Sequence, residues 1–211
     1  IAPIIAIGVV LSLIFLYLVI SDTWRDFLLK IGFHDYQFKR IDSWLNPFLD
    51  PNGSSYQLAN SLIAIGSGGL LGTGFNVSNI HVPVRESDMI FSVIGENFGF
   101  IGSCLVIFLY FYLIYQMYKT CFKSNNLFFT YIGIGIVAMI FFHVFENIGA
   151  SIGLLPLTGI PLPYISQGGS AILSNFLGLG FMLCCSRYTN EKKGTQKWIQ
   201  NNTLWIECLF Q

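Results

Sequence analysis

Long uncharged runs constrain this chain more than any other feature of its sequence. Residues 1–21, 97–118 and 124–145 contain no Asp, Glu, Lys or Arg, and residues 147–186 form a fourth such run that three prolines interrupt. A helix needs about 20 apolar residues to cross the roughly 30 Å hydrocarbon core of a bilayer. The first three runs meet that length, and residues 168–186 of the fourth nearly do. The sequence therefore predicts an all-α polytopic membrane protein with four transmembrane helices.

The composition also points to lipid as the solvent. Only 10% of the 211 residues are charged, against about 25% in soluble domains. A soluble domain with so few charges would expose large apolar patches and associate. The zero net charge argues against nucleic acid as a partner, because phosphate binding needs clustered Lys and Arg. The five cysteines are an odd number without metal-type spacing, so neither a disulfide framework nor a structural metal site is indicated.

Basic residues in the short connections predict the orientation. Lys119 and Lys123 lie in one connection and Arg187 follows the last span, whereas residues 152–167 carry no charge. Lys and Arg concentrate on the cytoplasmic side, so the C-terminus is predicted to be cytoplasmic. The predicted organisation is transmembrane helices at 1–21, 96–118, 127–151 and 168–186, extracytoplasmic loops at 22–95 and 152–167, and cytoplasmic segments at 119–126 and 187–211.

Residues 58–71 leave one alternative open. If they formed a fifth span, the basic residues near position 40 would lie on the cytoplasmic side. However, the apolar part is nearer 14 residues and glycines follow it from Gly66 to Gly74, a pattern more typical of an interfacial or re-entrant segment. The glycine-rich stretch lacks the Lys-Ser/Thr ending of a P-loop, so we do not predict nucleotide binding there.

Ionisable groups near membrane depth are costly and are the first candidates for chemistry. Arg85, Glu86 and Asp88 lie together at the predicted external boundary, and Asp88 is followed at once by an apolar run. One interpretation is a solvated cluster that neutralises itself. The other is that Asp88 is a general base, because it is a carboxylate held against an apolar wall beside a cation.

Two further acidic residues have a structural and a functional interpretation each. Glu96 begins a predicted span, where the helix dipole favours negative charge, and a binding role is the alternative. Glu146 lies three residues after His143 and so on a similar helix face, which favours a buried pair over proton transfer.

Several motifs together resemble one family. They include Arg40-Ile-Asp-Ser-Trp-Leu-Asn-Pro47, Arg85-Glu-Ser-Asp-Met-Ile-Phe91 and Gly153-Leu-Leu-Pro-Leu-Thr-Gly-Ile-Pro-Leu-Pro163. In this order they are similar to the C-terminal half of the SEDS membrane proteins, the family of RodA, FtsW and SpoVE. The first motif is more similar to RodA, and the second to RodA of streptococci and their relatives. Many members have His-Thr where this chain has Glu86-Ser87, which puts fine substrate contacts in doubt.

The resemblance implies a fold and an activity. It implies a ten-helix peptidoglycan glycosyltransferase of the plasma membrane, of which this chain supplies the last four spans, that polymerises undecaprenyl-linked lipid II in cell elongation and cell-shape maintenance. The family's essential Asp corresponds to Asp88, the expected catalytic residue. The expected substrate-binding residues are Arg85, Glu86, Lys39, Arg40, Glu96, Tyr56, Gln57, Pro163, Ser166 and Gly168.

The same resemblance implies a class B penicillin-binding protein transpeptidase as partner. No residues form a metal site in the sequence, but a divalent cation, Mg²⁺ or Mn²⁺, would suit a pyrophosphate leaving group. Two other functions stay open. A lipid II flippase would depend on charges inside the membrane such as Glu146, and a non-catalytic scaffold for the transpeptidase would depend on neither Glu146 nor Asp88.

Overall fold

A computed structural model describes residues 34–50, 53, 55–75, 80–124 and 126–209, with isolated positions 10, 29, 30 and 32, and it describes side chains as far as residue 189. All regular structure in these residues is helical, which confirms the all-α class. The predicted span at 1–21 lies outside the described residues. The helices are α1 (Asp35–Leu45), α2 (Tyr56–Ser67), α3 (Ile90–Lys123), α4 (Leu127–Ser151) and α5 (Gly169–Leu209).

The chain divides into two units, Ile1–Ala59 and Asn60–Gln211. Among the described residues, three helices of the second unit are long and apolar enough to cross a membrane: α3, α4 and the Gly169–Thr189 part of α5. By contrast, α2 has 12 residues and rises only about 18 Å, well short of the hydrocarbon thickness. This length favours the re-entrant or interfacial interpretation of residues 58–71 over a fifth span.

The helix bounds differ from the predicted spans mainly at α3. This helix has 34 residues and begins at Ile90, six residues before the predicted start, and it ends at Lys123 instead of residue 118. Charged residues set the predicted limits of the spans. A helix can, however, include a charged residue if its side chain has a hydrogen-bond partner or reaches water. Glu96 therefore lies in the second turn of α3, and not at its N-terminus as the sequence suggested. The bounds of α4 coincide with the predicted 127–151.

A kink divides α3 at Gly99, which has the non-helical dihedral angles φ 65° and ψ −161°. The glycine-rich segment after α2 supplies the hydrogen bonds that the broken helix lacks. The amides of Phe100 and Ile101 donate to the carbonyls of Gly69 and Leu70, at 2.9 and 3.2 Å. Kinks are tolerated in membrane helices where neighbouring groups satisfy the freed backbone in this way.

The two backbones approach so closely that only glycine fits. A Cβ on Gly68 would lie 2.0 Å from the carbonyl oxygen of Gly95, and one on Gly72 would lie 2.1 Å from that of Asn97. A Cβ on Gly99 would lie 2.4 Å from the amide nitrogen of Gly72. The glycines of this segment thus serve close packing against the kinked helix.

The three long helices share one apolar core. Gly133 allows α4 to approach its neighbours, because a Cβ there would lie 2.6 Å from Cys121 Sγ and 3.3 Å from Met182 Sδ. Small residues play this part in packed membrane helices. The buried members of the core are Tyr110, Met117, Cys121, Ile140, Val144, Leu162 and Met182. Leu162 belongs to the proline-rich connection between α4 and α5, so this connection is anchored in the core.

The end of α4 and the start of the proline-rich connection are fixed by a left-handed turn. Gly153 has φ 75°, and the amide of Leu154 donates to the carbonyl of Gly149 at 2.7 Å. This pattern satisfies the last carbonyls of a helix and requires a residue that tolerates positive φ. The turn directs residues 154–168 back across the end of the bundle, towards the residues that precede α3.

Candidate functional site

Asp88 lies in the turn that leads into α3. Its amide donates to the carbonyl of Val84 at 3.2 Å, and its Oδ1 accepts the hydroxyl hydrogen of Ser87 at 2.6 Å. Val84 adopts φ 53°, a left-handed conformation that a β-branched residue rarely takes. Strain of this kind is retained only where surrounding contacts hold the backbone, and it occurs preferentially at functional sites. The Asp88 side chain is half-buried.

Three contacts from the proline-rich connection and α4 hold this turn. The hydroxyl of Ser166 donates to the carbonyl of Ser87 at 2.6 Å, and the amide of Gln167 donates to the carbonyl of Glu86 at 2.8 Å. The side-chain amide of Asn147 donates to the carbonyl of Asp88 at 2.8 Å. Each of these three contacts is to the main chain, so none of them occupies the carboxylate of Asp88, whose Oδ1 accepts the hydroxyl hydrogen of Ser87.

Ser166 has a fully used hydroxyl. It accepts the amide hydrogen of Leu162 at 2.7 Å while donating to Ser87, and the residue is 2% exposed. The sequence assigned Ser166 to substrate binding. Its burial and its two main-chain bonds favour a part in holding two loops together.

Pro163 is completely buried, and its carbonyl accepts a hydrogen bond from the hydroxyl of Tyr110 in α3. Next to it, Tyr164 has φ 66° and donates to the carbonyl of Asn175 at 3.3 Å. Burial raises the pKa of the Tyr164 hydroxyl above its ordinary value, which is already well above neutral, so the protonated donor form is favoured further. Gly168 precedes α5, and its carbonyl accepts the amide hydrogen of Ile172. In these contacts the predicted binding residues Pro163 and Gly168 use their main-chain carbonyls to stabilise the proline-rich connection and the start of α5.

Arg85 and Glu86 lie in the same turn as Asp88. Glu86 is exposed and Arg85 is half-buried, two and three residues before Asp88. The turn thus carries one cation, Arg85, and one exposed carboxylate, Glu86, within three residues of the half-buried Asp88. Such an arrangement can bind an anionic group and accept a proton at the same place.

Glu96 is 1% exposed and holds the loop before the turn. Its Oε1 accepts the amide hydrogen of Ile80 at 3.3 Å, and its carbonyl accepts hydrogen bonds from the amide and hydroxyl of Thr73. The predicted binding role of Glu96 is untested, and these contacts give it a structural one.

Glu146 finds a partner that its sequence neighbours do not suggest. It is 4% exposed and accepts a hydrogen bond from the hydroxyl of Thr158, a residue of the proline-rich connection. No hydrogen bond joins Glu146 to His143 in the part of the chain that the structure describes. The expected His–Glu pair is therefore replaced by a contact that fixes residue 158.

Four predicted binding residues lie in the first unit. Lys39 of α1 forms an ion pair with Asp35 at 3.2 Å, in which both side chains are largely exposed. Arg40 follows it on the same helix and is exposed, while Tyr56 and Gln57 begin α2 and are half-buried. These four residues are described with the first unit alone, and their contact with substrate stays a prediction.

No group of three or more His, Cys, Asp or Glu residues that could hold a metal ion occurs among the described residues. A divalent cation at this site would therefore need ligands from the pyrophosphate of a substrate in addition to protein carboxylates. The predicted Mg²⁺ or Mn²⁺ remains a prediction.

Two residues of the site escaped the sequence analysis. Asn147 is 1% exposed and carries the contact to Asp88, and Gly159 lies so close that a Cβ there would be 3.4 Å from Asp88 Oδ2. A polar residue inside an apolar span was the available signal for Asn147. The position of Gly159 depends on a contact between loops that are distant in the sequence. A single sequence shows neither that contact nor the positive φ of Gly159.

The family of the chain follows from comparison with known proteins. The family model described as "Cell cycle protein", for FtsW, RodA and SpoVE, matches residues 1–200. The chain belongs to this family. Its recognition as a SEDS protein is thus confirmed, while the RodA subtype is not.

Named relatives and one solved structure extend this result. Stage V sporulation protein E of Bacillus subtilis is 39% identical over 73% of this chain and 43% of its own length. A "Probable peptidoglycan glycosyltransferase FtsW" of Enterococcus hirae is 41% identical over 76% of this chain and 42% of its own length. A solved chain from a peptidoglycan synthase complex that coordinates polymerization and crosslinking matches with a TM-score of 0.64 and 27% identity, over 86% of this chain and 49% of the solved one. The chain spans less than half the length of these relatives.

Proposed function

We propose that this chain forms the catalytic part of a peptidoglycan glycosyltransferase that polymerises lipid II. The observation that carries the proposal is how the backbone around Asp88 is held. Asn147 binds the carbonyl of Asp88, Ser166 binds that of Ser87, and Gln167 binds that of Glu86. The Asp88 side chain is half-buried beside Gly159. A rigidly placed carboxylate at an apolar boundary suits a general base. The names of the relatives support the same activity.

The proposed step is an inverting displacement. Asp88 takes the proton from the 4-hydroxyl of the acceptor sugar, and the oxygen attacks the anomeric carbon of the lipid-linked donor. The bond from that carbon to the pyrophosphate breaks as the β-1,4 bond forms, and the electron pair leaves with the pyrophosphate. The departing group gains negative charge, so a cation beside it stabilises the transition state. Arg85 is the nearest candidate in sequence, with Lys39 and Arg40 as further ones.

The proposal includes a cellular role and partners. We propose a multi-pass protein of the bacterial plasma membrane with a cytoplasmic C-terminus, working with a class B penicillin-binding protein. The similar solved chain supports such a partner, because it comes from a complex that combines polymerization with crosslinking. A role in elongation is based on the similarity of residues 40–47 to RodA. The curated relatives named above are called FtsW and SpoVE, so division or sporulation is the competing assignment.

Two variants in the full-length native protein distinguish the proposed polymerase from a flippase. Asp88→Ala should abolish lipid II polymerisation in vesicles while leaving the amount of folded protein unchanged. Glu146→Ala should retain polymerisation at a reduced rate, because Glu146 contacts Thr158 and not the reacting groups. A flippase would show the opposite pattern in a lipid II transport assay, and a scaffold would tolerate both changes. Normal polymerisation by Asp88→Ala would refute the proposal.

A further inference from the structure

Asn147 connects two segments of the site through one side chain. It lies in α4 and is 1% exposed, and its Nδ2 lies 2.8 Å from the carbonyl oxygen of Asp88 and 2.8 Å from that of Ile160. Both amide hydrogens are thus donated to main-chain acceptors. The orientation of the amide follows, because a flipped amide would place its oxygen against two carbonyl oxygens.

The two carbonyl acceptors belong to two different segments, the turn before α3 and the proline-rich connection. Asp88 precedes the first residue of α3 by two positions, so its carbonyl lies outside the hydrogen bonds of the helix. Ile160 follows Gly159, the residue at which a Cβ would lie 3.4 Å from Asp88 Oδ2. One amide therefore holds the backbone of Asp88 at a fixed distance from the loop that borders its carboxylate.

Neighbouring contacts make the position of this loop specific. Thr158 donates its hydroxyl hydrogen to Glu146, the residue before Asn147 in α4. Consecutive residues of one helix thus hold residues 158 and 160, and Gly159 between them faces Asp88. The φ of 86° at Gly159 bends the loop at this point.

The side-chain amide of Asn147 includes one atom whose burial lowers the stability of the fold. Its Oδ1 is buried and has no hydrogen-bond partner among the described residues. A buried acceptor without a partner lowers stability, and such a group in a folded protein calls for an explanation. The two donated bonds supply one, because no apolar side chain of similar volume could hold the two carbonyls.

We propose that Asn147 is a positioning residue for the transfer reaction. It holds the main chain of Asp88 so that the carboxylate points at the acceptor hydroxyl, and its burial keeps it from touching the substrate itself. This inference rests on the proposed function of Asp88 as general base.

The test measures kcat and KM for lipid II polymerisation by the full-length native protein in vesicles. Asn147→Leu keeps the number and branching of the side-chain heavy atoms and removes both donors. We expect kcat to fall about 100-fold, because misplacement by about 1 Å has an effect of this size, with KM changed less than about threefold. Asn147→Ser retains one donor and should give an intermediate kcat. Asn175→Leu is the matched control, since Asn175 is a buried asparagine of α5 that forms no hydrogen bond to the Asp88 turn among the described residues, while its main-chain carbonyl accepts from Tyr164.

The outcomes separate this inference from the proposed function. An unchanged kcat for Asn147→Leu, or a loss fully explained by a smaller folded fraction, would overturn the positioning role. If Asn147→Leu does not fold, Asn147→Ser decides, and a normal kcat there has the same meaning. Asp88→Ala is measured in parallel. Activity in that variant contradicts the proposed function, whereas its inactivity together with a normal Asn147→Leu contradicts the inference alone.

Discussion

The hydroxyl of Ser166 donates a hydrogen bond to the carbonyl of Ser87 at 2.6 Å and joins two loops that lie 79 residues apart in sequence. The same hydroxyl accepts the amide hydrogen of Leu162, so one buried oxygen connects the Asp88 turn to the proline-rich connection. The site is therefore assembled by contacts to the main chain, which leave the acidic side chain of the turn available for chemistry.

Loss of the Ser166 hydroxyl should loosen this junction. Ser166→Ala leaves the buried amide of Leu162 and the partly buried carbonyl of Ser87 without their partner, and an unsatisfied buried group costs about 1–3 kcal/mol. We expect a lower unfolding temperature and faster hydrogen exchange at the Leu162 amide. Ser174→Ala is the control, because Ser174 is exposed and bonds only to Ala171 in its own helix. Equal unfolding temperatures for the two variants would contradict the assigned role.

The packing of Gly72 against Gly99 should tolerate no side chain. A Cβ at either position would lie within 2.4 Å of backbone atoms, and both residues have positive φ. Gly72→Ala and Gly99→Ala should each lower the yield of folded protein strongly, measured by fluorescence-detected size exclusion. Gly135→Ala in α4 meets nothing within 4 Å and should be neutral or slightly stabilising. Folding of Gly99→Ala at the level of Gly135→Ala would refute the close approach.

The hydroxyl of Tyr110 should stabilise the proline-rich connection. Tyr110 is 6% exposed and donates to the carbonyl of Pro163, so Tyr110→Phe should lower the free energy of unfolding by about 1 kcal/mol. Tyr112 on the same helix is 55% exposed, and Tyr112→Phe is the matched control. Thermal unfolding of both variants in detergent tests this expectation, and an identical response of the two would exclude a contribution from the hydrogen bond.

The left-handed backbone of Gly159 should fix the loop beside the carboxylate of Asp88. Gly159→Ala places a methyl group about 3.4 Å from Asp88 Oδ2 and forces a non-glycine residue to φ 86°. The contact at this distance is an ordinary one, but the left-handed backbone is strained for alanine and should shift the loop beside the carboxylate, so kcat for polymerisation should fall at least tenfold with a smaller change in KM. Gly180→Ala, which meets nothing within 4 Å, serves for comparison. Wild-type kcat in Gly159→Ala would show that the conformation of this loop does not constrain Asp88.

The sequence predicted those parts of the structure that depend on local patterns. The apolar run at 124–145 predicted a helix where α4 lies, at Leu127–Ser151, and the charged cluster marked the turn that precedes α3. The predicted start of α3 was wrong because Glu96 was taken as the helix end. The Glu96 side chain is buried and accepts a hydrogen bond from Ile80, so the helix can include this charged residue. The partners of Asn147 and Glu146 could not be predicted, since they depend on how the proline-rich connection folds back.

The most direct test concerns the carboxylate of Asp88 itself. Asp88→Asn keeps the shape of the side chain and its bond from Ser87 but removes the group that accepts the proton. Single-turnover coupling of lipid II by the full-length native protein should be slower by at least about 10³-fold, within the range for loss of a general base. The control Asp50→Asn, an exposed acid of the first unit, should couple at the wild-type rate. Coupling by Asp88→Asn within about tenfold of wild type would contradict the account.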